Sequence, residues 1–75
     1  MKALIEYLAR AIAEYPDEVV VEEEHRGDRV IIHLQVAESD KGRVIGREGR
    51  IANAMRSLLH VAATRQGERA SLDID

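Results

Sequence analysis

The 75-residue sequence contains no cysteine, no tryptophan, no phenylalanine and a single proline. Without cysteine there is neither a disulfide framework nor a thiolate zinc site, so nothing covalent or metallic staples the fold. No apolar run approaches the roughly 20 residues of a membrane span, and no signal-peptide pattern opens the chain. Both absences read as a cytoplasmic protein with no membrane partner. No repeat, linker or low-complexity stretch divides the chain, which reads as one unit over residues 1–75. That length excludes enzymes that close one domain over another. A chain this short buries only about 60% of the surface its unfolded form exposes. Its stability must therefore come from efficient packing or from burial against a second subunit.

What the sequence does have is charge, and the charge is segregated. The net charge is −3. Residues 1–40 carry four bases against ten acids, a net of −6, whereas residues 41–69 carry seven bases against two acids, a net of +5. Such a split suggests one face built to meet an anion and another that repels it. An ordinary solvated surface whose charges happen to cluster along the chain would give the same totals. Nine of the eleven bases are arginine. That suits bidentate phosphate contacts, although a G+C-rich coding sequence would produce the same bias.

Hydrophobic periodicity orders the elements. Leu4, Ile5, Leu8, Ala11, Ile12 and Tyr15 recur at three- and four-residue spacing and predict a helix over residues 2–15, ended by Pro16. Val19-Val20-Val21 opens a strand that runs into Glu22-Glu23-Glu24, a charged end suited to a sheet edge. Arg26-Gly27-Asp28 supplies a turn. Val30, Ile32, Leu34 and Val36 then alternate in the most apolar strand, which belongs in the sheet centre. Ser39 or Asp40 is placed to cap a short helix over Lys41–Ile45. After Gly46 and Gly49 a longer helix carries Ile51, Met55, Leu58, Leu59 and Ala62 on one stripe and stops at Gly67. Leu72 and Ile74 alternate with Ser71 and Asp73 in a last strand. A hairpin makes the first two strands antiparallel, and the crossover makes the third parallel to the second. The predicted fold is α+β, a three-stranded mixed sheet with three helices packed on one face.

The chemistry concentrates between residues 41 and 56. Gly46 and Gly49 lie three apart between two helices, flanked by Lys41, Arg43, Arg47, Arg50 and Arg56 against the single acid Glu48. A Gly-x-x-Gly turn lets backbone approach a ligand closely, because no Cβ intervenes. The helix it opens points its positive end at the same place, and arginines add bidentate donors. Together these make a site for phosphate. No Gly-Lys-Ser/Thr follows, so this is not a Walker loop, and no GxGxxG is present.

The segment Val44-Ile45-Gly46-Arg47-Glu48-Gly49-Arg50-Ile51 resembles the signature of KH domains, a nucleic-acid-binding family. The helix-strand-strand-helix-helix-strand order is that of the bacterial type II KH fold, and nearly the whole chain is similar to the small single-KH proteins of the KhpA family. The resemblance implies binding of single-stranded RNA. The GxxG loop would clamp the backbone of about four nucleotides whose bases enter an apolar groove. By position, Gly46, Arg47, Glu48 and Gly49 would contact phosphates, Ile45 would line the groove, and Lys41, Arg43 and Arg50 would supply attraction. Glu48 departs from a neutral or basic loop residue and is expected either to pair with Arg47 or Arg50 or to weaken binding. The lack of Phe and Trp removes stacking platforms, so modest affinity and loose sequence preference are expected.

Other residues carry weaker signals. Asn53 is placed to read a base edge or a sugar, or is simply a polar helix position. His25, His33 and His60 share no metal-ligand spacing and read as surface or structural. Met55 reads as core, and Tyr7 and Tyr15 as partly buried or interface residues. No catalytic, metal or cofactor constellation is visible, which indicates a non-enzyme. Two functions compete: an RNA chaperone or post-transcriptional regulator, and a dimerising protein-interaction adaptor with a degenerate RNA site. The five bases around the loop favour the first. Homodimers and a larger KH-containing RNA-binding partner are implied by the family resemblance; the surface that pairs is left open, since the loop side must stay free for RNA although Val44 with Ile45 makes it the most apolar exposed patch.

Overall fold

The alternation of Val30, Ile32 and Leu34 sets the frame of the computed structural model, which describes residues 1–75. These side chains are buried on one face of β2 (Arg29–Gln35), and Ile31, His33 and Gln35 take the other, as the two-residue period of a strand requires. β1 (Val20–Arg26) pairs antiparallel with β2, placing Val21 opposite Leu34 and Glu24 opposite Ile31. β3 (Arg69–Ile74) pairs parallel with β2, Leu72 opposite Ile32. The order is β1-β2-β3, with the most apolar strand central and the glutamate-rich strand at an edge, as predicted.

Helices α1 (Lys2–Ile12), α2 (Lys41–Ile45) and α3 (Arg50–Arg65) cover the apolar face. α1 rests on β1 and α3 on β3, while α2 packs against the other two helices. Ile5, Val44, Met55 and Leu59 meet Val30, Ile32, Leu34 and Leu72 in one core. Fully burying each of the larger side chains contributes about 1.5–3 kcal/mol. α3 ends in a Schellman motif: Glu68 N–H donates to the Ala63 carbonyl at 2.9 Å and Gly67 N–H to the Thr64 carbonyl at 3.1 Å. Gly67 takes the left-handed φ of +71° that this motif needs.

Three local expectations are corrected. The first helix stops at Ile12 instead of Tyr15, with Ala13 extended at φ −69°, ψ 142°. The amides of Glu14 and Tyr15 leave the helix because they donate to Asp40, to Oδ1 and Oδ2 respectively, each at 3.0 Å. Asp40 does stand at the N-terminus of α2, but its side chain does not cap that helix. It is 1% exposed and is the one buried charged residue. Leu58, assigned to the core stripe, is 49% exposed; the buried stripe is Ala52, Met55, Leu59 and Ala63. Spacing of three, four and four residues keeps those four on one side, and Leu58 falls beyond it.

The uncovered sheet face is acidic at its middle, around Glu22, Glu24 and Asp73, and basic at one end, where Arg26, Arg29 and Arg69 stand on neighbouring strands. His33 sits at its centre, with Nε2 3.1 Å from Glu24 Oε1 and Nδ1 3.7 Å from Asp73 Oδ2. The hydrogen bond from His33, followed by one from Arg26, holds the Glu24 carboxyl below the ordinary glutamate range. At the β1 edge, the hydrogen bond from His25 does the same for Glu23. These carboxylates stay ionised at neutral pH and repel phosphate.

Removing the Asp40 carboxylate strands two amides, at roughly 1–3 kcal/mol for each donor that loses its partner. Asp40→Ala is expected to lower the stability read by urea denaturation by about 2–4 kcal/mol. A loss below about 0.5 kcal/mol, the range of an ordinary surface substitution, would contradict this assignment.

Candidate nucleic-acid interface

The turn between α2 and α3 is built from backbone conformations that few residues adopt. Gly46 has φ +79° and ψ 170°, a region essentially confined to glycine. A Cβ there would also lie 2.8 Å from Ile51 Cγ1 and 2.9 Å from the Ile51 nitrogen. Glycine is therefore required twice over, by conformation and by space. Glu48 (φ +57°, ψ 24°) and Gly49 (φ +75°, ψ 15°) are both left-handed. For Glu48 this costs about 1–2 kcal/mol, and the exposed turn carries it. Gly46 N–H closes on the Gly42 carbonyl at 2.9 Å and Gly49 N–H on the Gly46 carbonyl at 3.1 Å. No side chain caps α3, so its positive end faces the turn directly.

The charges around the turn are not equally available. Lys41 lies 3.0 Å from Glu38, Arg43 lies 3.6 Å from Glu14 and 3.9 Å from Asp40, and Arg50 lies 3.7 Å from Glu48. The Glu48 carboxylate thus turns to Arg50, one of the two partners expected for it. Arg47 makes no ion pair and is exposed, the one free cation inside the loop. Ile45 is 38% exposed beside it, whereas Val44, the other half of the expected apolar patch, is buried completely.

A groove lies between α3 and β3, beginning about two helical turns beyond Gly49. A cleft of about 280 Å³ is lined by Arg56, Leu59 and His60 from α3 and by Ala70, Ser71 and Leu72 from β3. Arg56 bridges its two walls, donating from Nη2 to the Leu72 carbonyl at 3.4 Å and from Nη1 to Asn53 Oδ1 at 3.3 Å. Asn53 thus stands on the groove flank, one turn into α3, where its amide nitrogen is 3.7 Å from the site of a Cβ on Gly49. Arg56, which sequence reasoning grouped with the flanking bases, lies in the groove itself. His60 and Ser71 were not singled out for it. The i, i+4 spacing of Arg56 and His60 was the readable sign that they share a flank.

Two helices joined by a Gly-x-x-Gly turn, packed with a third on a β1-β2-β3 mixed sheet, define a KH domain of the type II arrangement. Comparison with known proteins reaches the same class and narrows it. The chain belongs to the KhpA/KhpB KH-domain family, whose model matches residues 2–74. Over 74 residues it is 46% identical to the RNA-binding protein KhpA of Halalkalibacterium halodurans, covering 99% of this chain and 97% of that one. It is 40% identical to the protein of the same name from Oceanobacillus iheyensis, with 99% of both chains covered. Among solved structures, an Era variant of Aquifex aeolicus bound to GDP.AlF4- superposes on 97% of this chain with a TM-score of 0.60 at 17% identity. The chain spans 28% of that protein's length, and the likeness is one of fold.

The two glycines of this region make opposite predictions. Gly46→Ala is expected to destabilise by about 1–3 kcal/mol. Gly42→Ala, whose added Cβ meets nothing within 4 Å, is expected to stabilise α2 by about 0.5–1 kcal/mol. Thermal melts of the two variants check the pair, and a Gly46→Ala protein as stable as the parent would refute the steric account of the turn.

Proposed function

We propose that the chain, as a single KH domain over residues 1–75, binds single-stranded RNA, with Gly46-Arg47-Glu48-Gly49 clamping the phosphate backbone. The observation that carries this reading is a turn only glycine can make that holds an unneutralised Arg47, followed two turns along α3 by a groove that holds a second unpaired arginine, Arg56. Gly46 folds the turn tightly against Ile51, and the lack of a Cβ at Gly49 lets a phosphate approach the start of α3. Arg47 supplies bidentate donors there, and Arg56 offers the next cation along the groove. Ile45 and Asn53 flank the path, the first as an apolar wall for bases and the second as a polar reader. Lys41, Arg43 and Arg50 act at longer range, since each is shared with a carboxylate of its own chain. The acidic middle of the uncovered sheet face, around Glu22, Glu24 and Asp73, turns RNA away from that part of the surface. The names of the relatives support the substrate class. In this reading the role is that of an RNA chaperone or post-transcriptional regulator in the cytoplasm.

The chain also self-associates in this reading, through the flank of α3 away from the groove. Leu58 and Val61 are 49% and 53% exposed. At about 100° per residue Leu58 lies on the side of α3 opposite Asn53, Arg56 and His60, and Val61 lies between the two sides, about 80° round from Asn53. α3 holds no Asp or Glu, so two copies related by a two-fold axis would not set acid against acid across this contact. The same flank is available to a larger KH-containing RNA-binding partner. Dimerisation here leaves the groove open, unlike a contact through Ile45.

Arg47→Asp with Glu48→Asp tests the clamp, because aspartate tolerates the left-handed position and the core is untouched. Affinity for a single-stranded RNA decanucleotide is expected to fall at least about tenfold with the melting temperature nearly unchanged. Equal affinity would overturn the clamp and favour the adaptor function. For the dimer, Leu58→Asp with Val61→Asp is expected to halve the mass measured by light scattering at about 100 µM, above the Kd of a weak dimer, without loss of RNA binding. A monomeric parent protein at that concentration would contradict the dimer.

A further inference from the structure

The geometry points to a second phosphate anchor at the far end of the groove, formed by Arg29 and Arg69, that extends the RNA footprint beyond the nucleotides held by the loop. This inference rests on the RNA-binding reading above and adds a site to it.

The anchor emerges from the pairing of strands. β2 and β3 are parallel and in register, so Arg29 and Arg69, the first residues of each, are direct neighbours. The Arg69 amide is fixed there by a bond to the Asp28 carbonyl at 2.9 Å. Like charges side by side on adjacent strands are unfavourable. Neither arginine is relieved by a carboxylate: both are exposed, and neither takes part in an ion pair. The neighbouring Arg26, by contrast, is bound to Glu24 at 2.6 Å. Two adjacent uncompensated guanidinium groups are an arrangement that a phosphate would stabilise.

The position of the pair gives it a path to the loop. Arg29 and Arg69 line a cleft of about 520 Å³ with His60, Thr64, Glu68 and Ser71. A volume of this size falls within the range of small-ligand sites. His60, Ala70 and Ser71 also line the cleft that contains Arg56, so the two are stretches of one groove. α3 runs from Gly49 at the turn to Thr64 at the anchor, about 22 Å at 1.5 Å per residue. Six of the eleven basic side chains make no ion pair: Lys2, Arg29, Arg47, Arg56, Arg65 and Arg69. Four of these six mark this path, with Arg47 at its start, Arg56 midway and Arg29 and Arg69 at its end. Glu68 also lines this cleft, and its Oε2 is buried without any hydrogen-bond donor.

The test measures binding of four- and ten-nucleotide RNA pools of random sequence by fluorescence anisotropy across a salt series. Arg29→Ala with Arg69→Ala is compared with the parent protein and with Lys2→Ala/Arg10→Ala, which removes the same charge from α1. The parent is expected to bind the longer RNA more tightly than the shorter. The Arg29/Arg69 variant is expected to keep tetranucleotide affinity but lose about five- to tenfold on the decanucleotide. Its slope of log K against log salt should be shallower by about 1.4, the value for two contacts at about 0.7 each. The α1 control should behave as the parent. Identical decanucleotide affinity and slope in parent and variant, or an equal loss in the control, would overturn the second anchor. The RNA-binding reading would survive if Arg47→Asp/Glu48→Asp still abolished binding. If the parent protein bound neither RNA, that reading itself would fall.

Discussion

The turn between α2 and α3 depends on a buried carboxylate that lies outside it. Asp40 receives the amides of Glu14 and Tyr15 and so joins the end of α1 to the start of α2. This fixes where α2 begins, and its five residues are too few to hold a position by helix propensity alone. Val44, completely buried, supplies the second point of attachment. From there Gly46 must turn the chain within one residue, against the side chain of Ile51, for α3 to start with its positive end facing solvent. The geometry of the turn is thus the outcome of three constraints in series: a satisfied buried acid, one buried valine and one glycine without room for a Cβ.

The electrostatic design differs from what a count of bases suggests. A net of +5 over residues 41–69 reads as a broad positive surface, but three of the five bases around the loop are matched by carboxylates of the chain. Exposed pairs of this kind contribute little to stability, commonly about 0–1 kcal/mol. Their larger effect is to lower the field around the turn and leave a narrow track of free arginines along α3 and β3. The acidic middle of the sheet's far face sharpens that contrast. A weak, directional field of this kind suits a protein that binds and releases many strands better than one that holds a single target tightly.

Much of this was legible in the sequence, and the misses have physical causes. Element order, the central position of the Val30–Leu34 strand and the short helix at Lys41–Ile45 follow from periodicities of two and 3.6 and from the placement of glycine. The turn was legible because Gly-x-x-Gly between basic helices has few structural uses. The end of α1 was not, because it is decided by Asp40, more than twenty residues away in sequence. Leu58 was misplaced because a stripe of Ile51, Met55, Leu58, Leu59 and Ala62 is wider than the seam that α3 presents to β3, and tertiary packing selects one edge of it. Arg29 and Arg69 are forty residues apart and meet only through the parallel register of β2 and β3. Ion pairing, likewise, is invisible until side chains are placed.

The central claim is that RNA lies along the turn and groove and not on the acidic middle of the sheet's outer face. The most direct measurement is the change in backbone amide resonances of the isotope-labelled protein as unlabelled single-stranded RNA is added. The account predicts shifts at Gly46, Arg47, Gly49, Asn53, Arg56 and Ser71, with Glu22, His33 and Gln35 on the sheet's outer face unmoved. Shifts confined to those three residues, or to Leu58 and Val61 on α3, would contradict it.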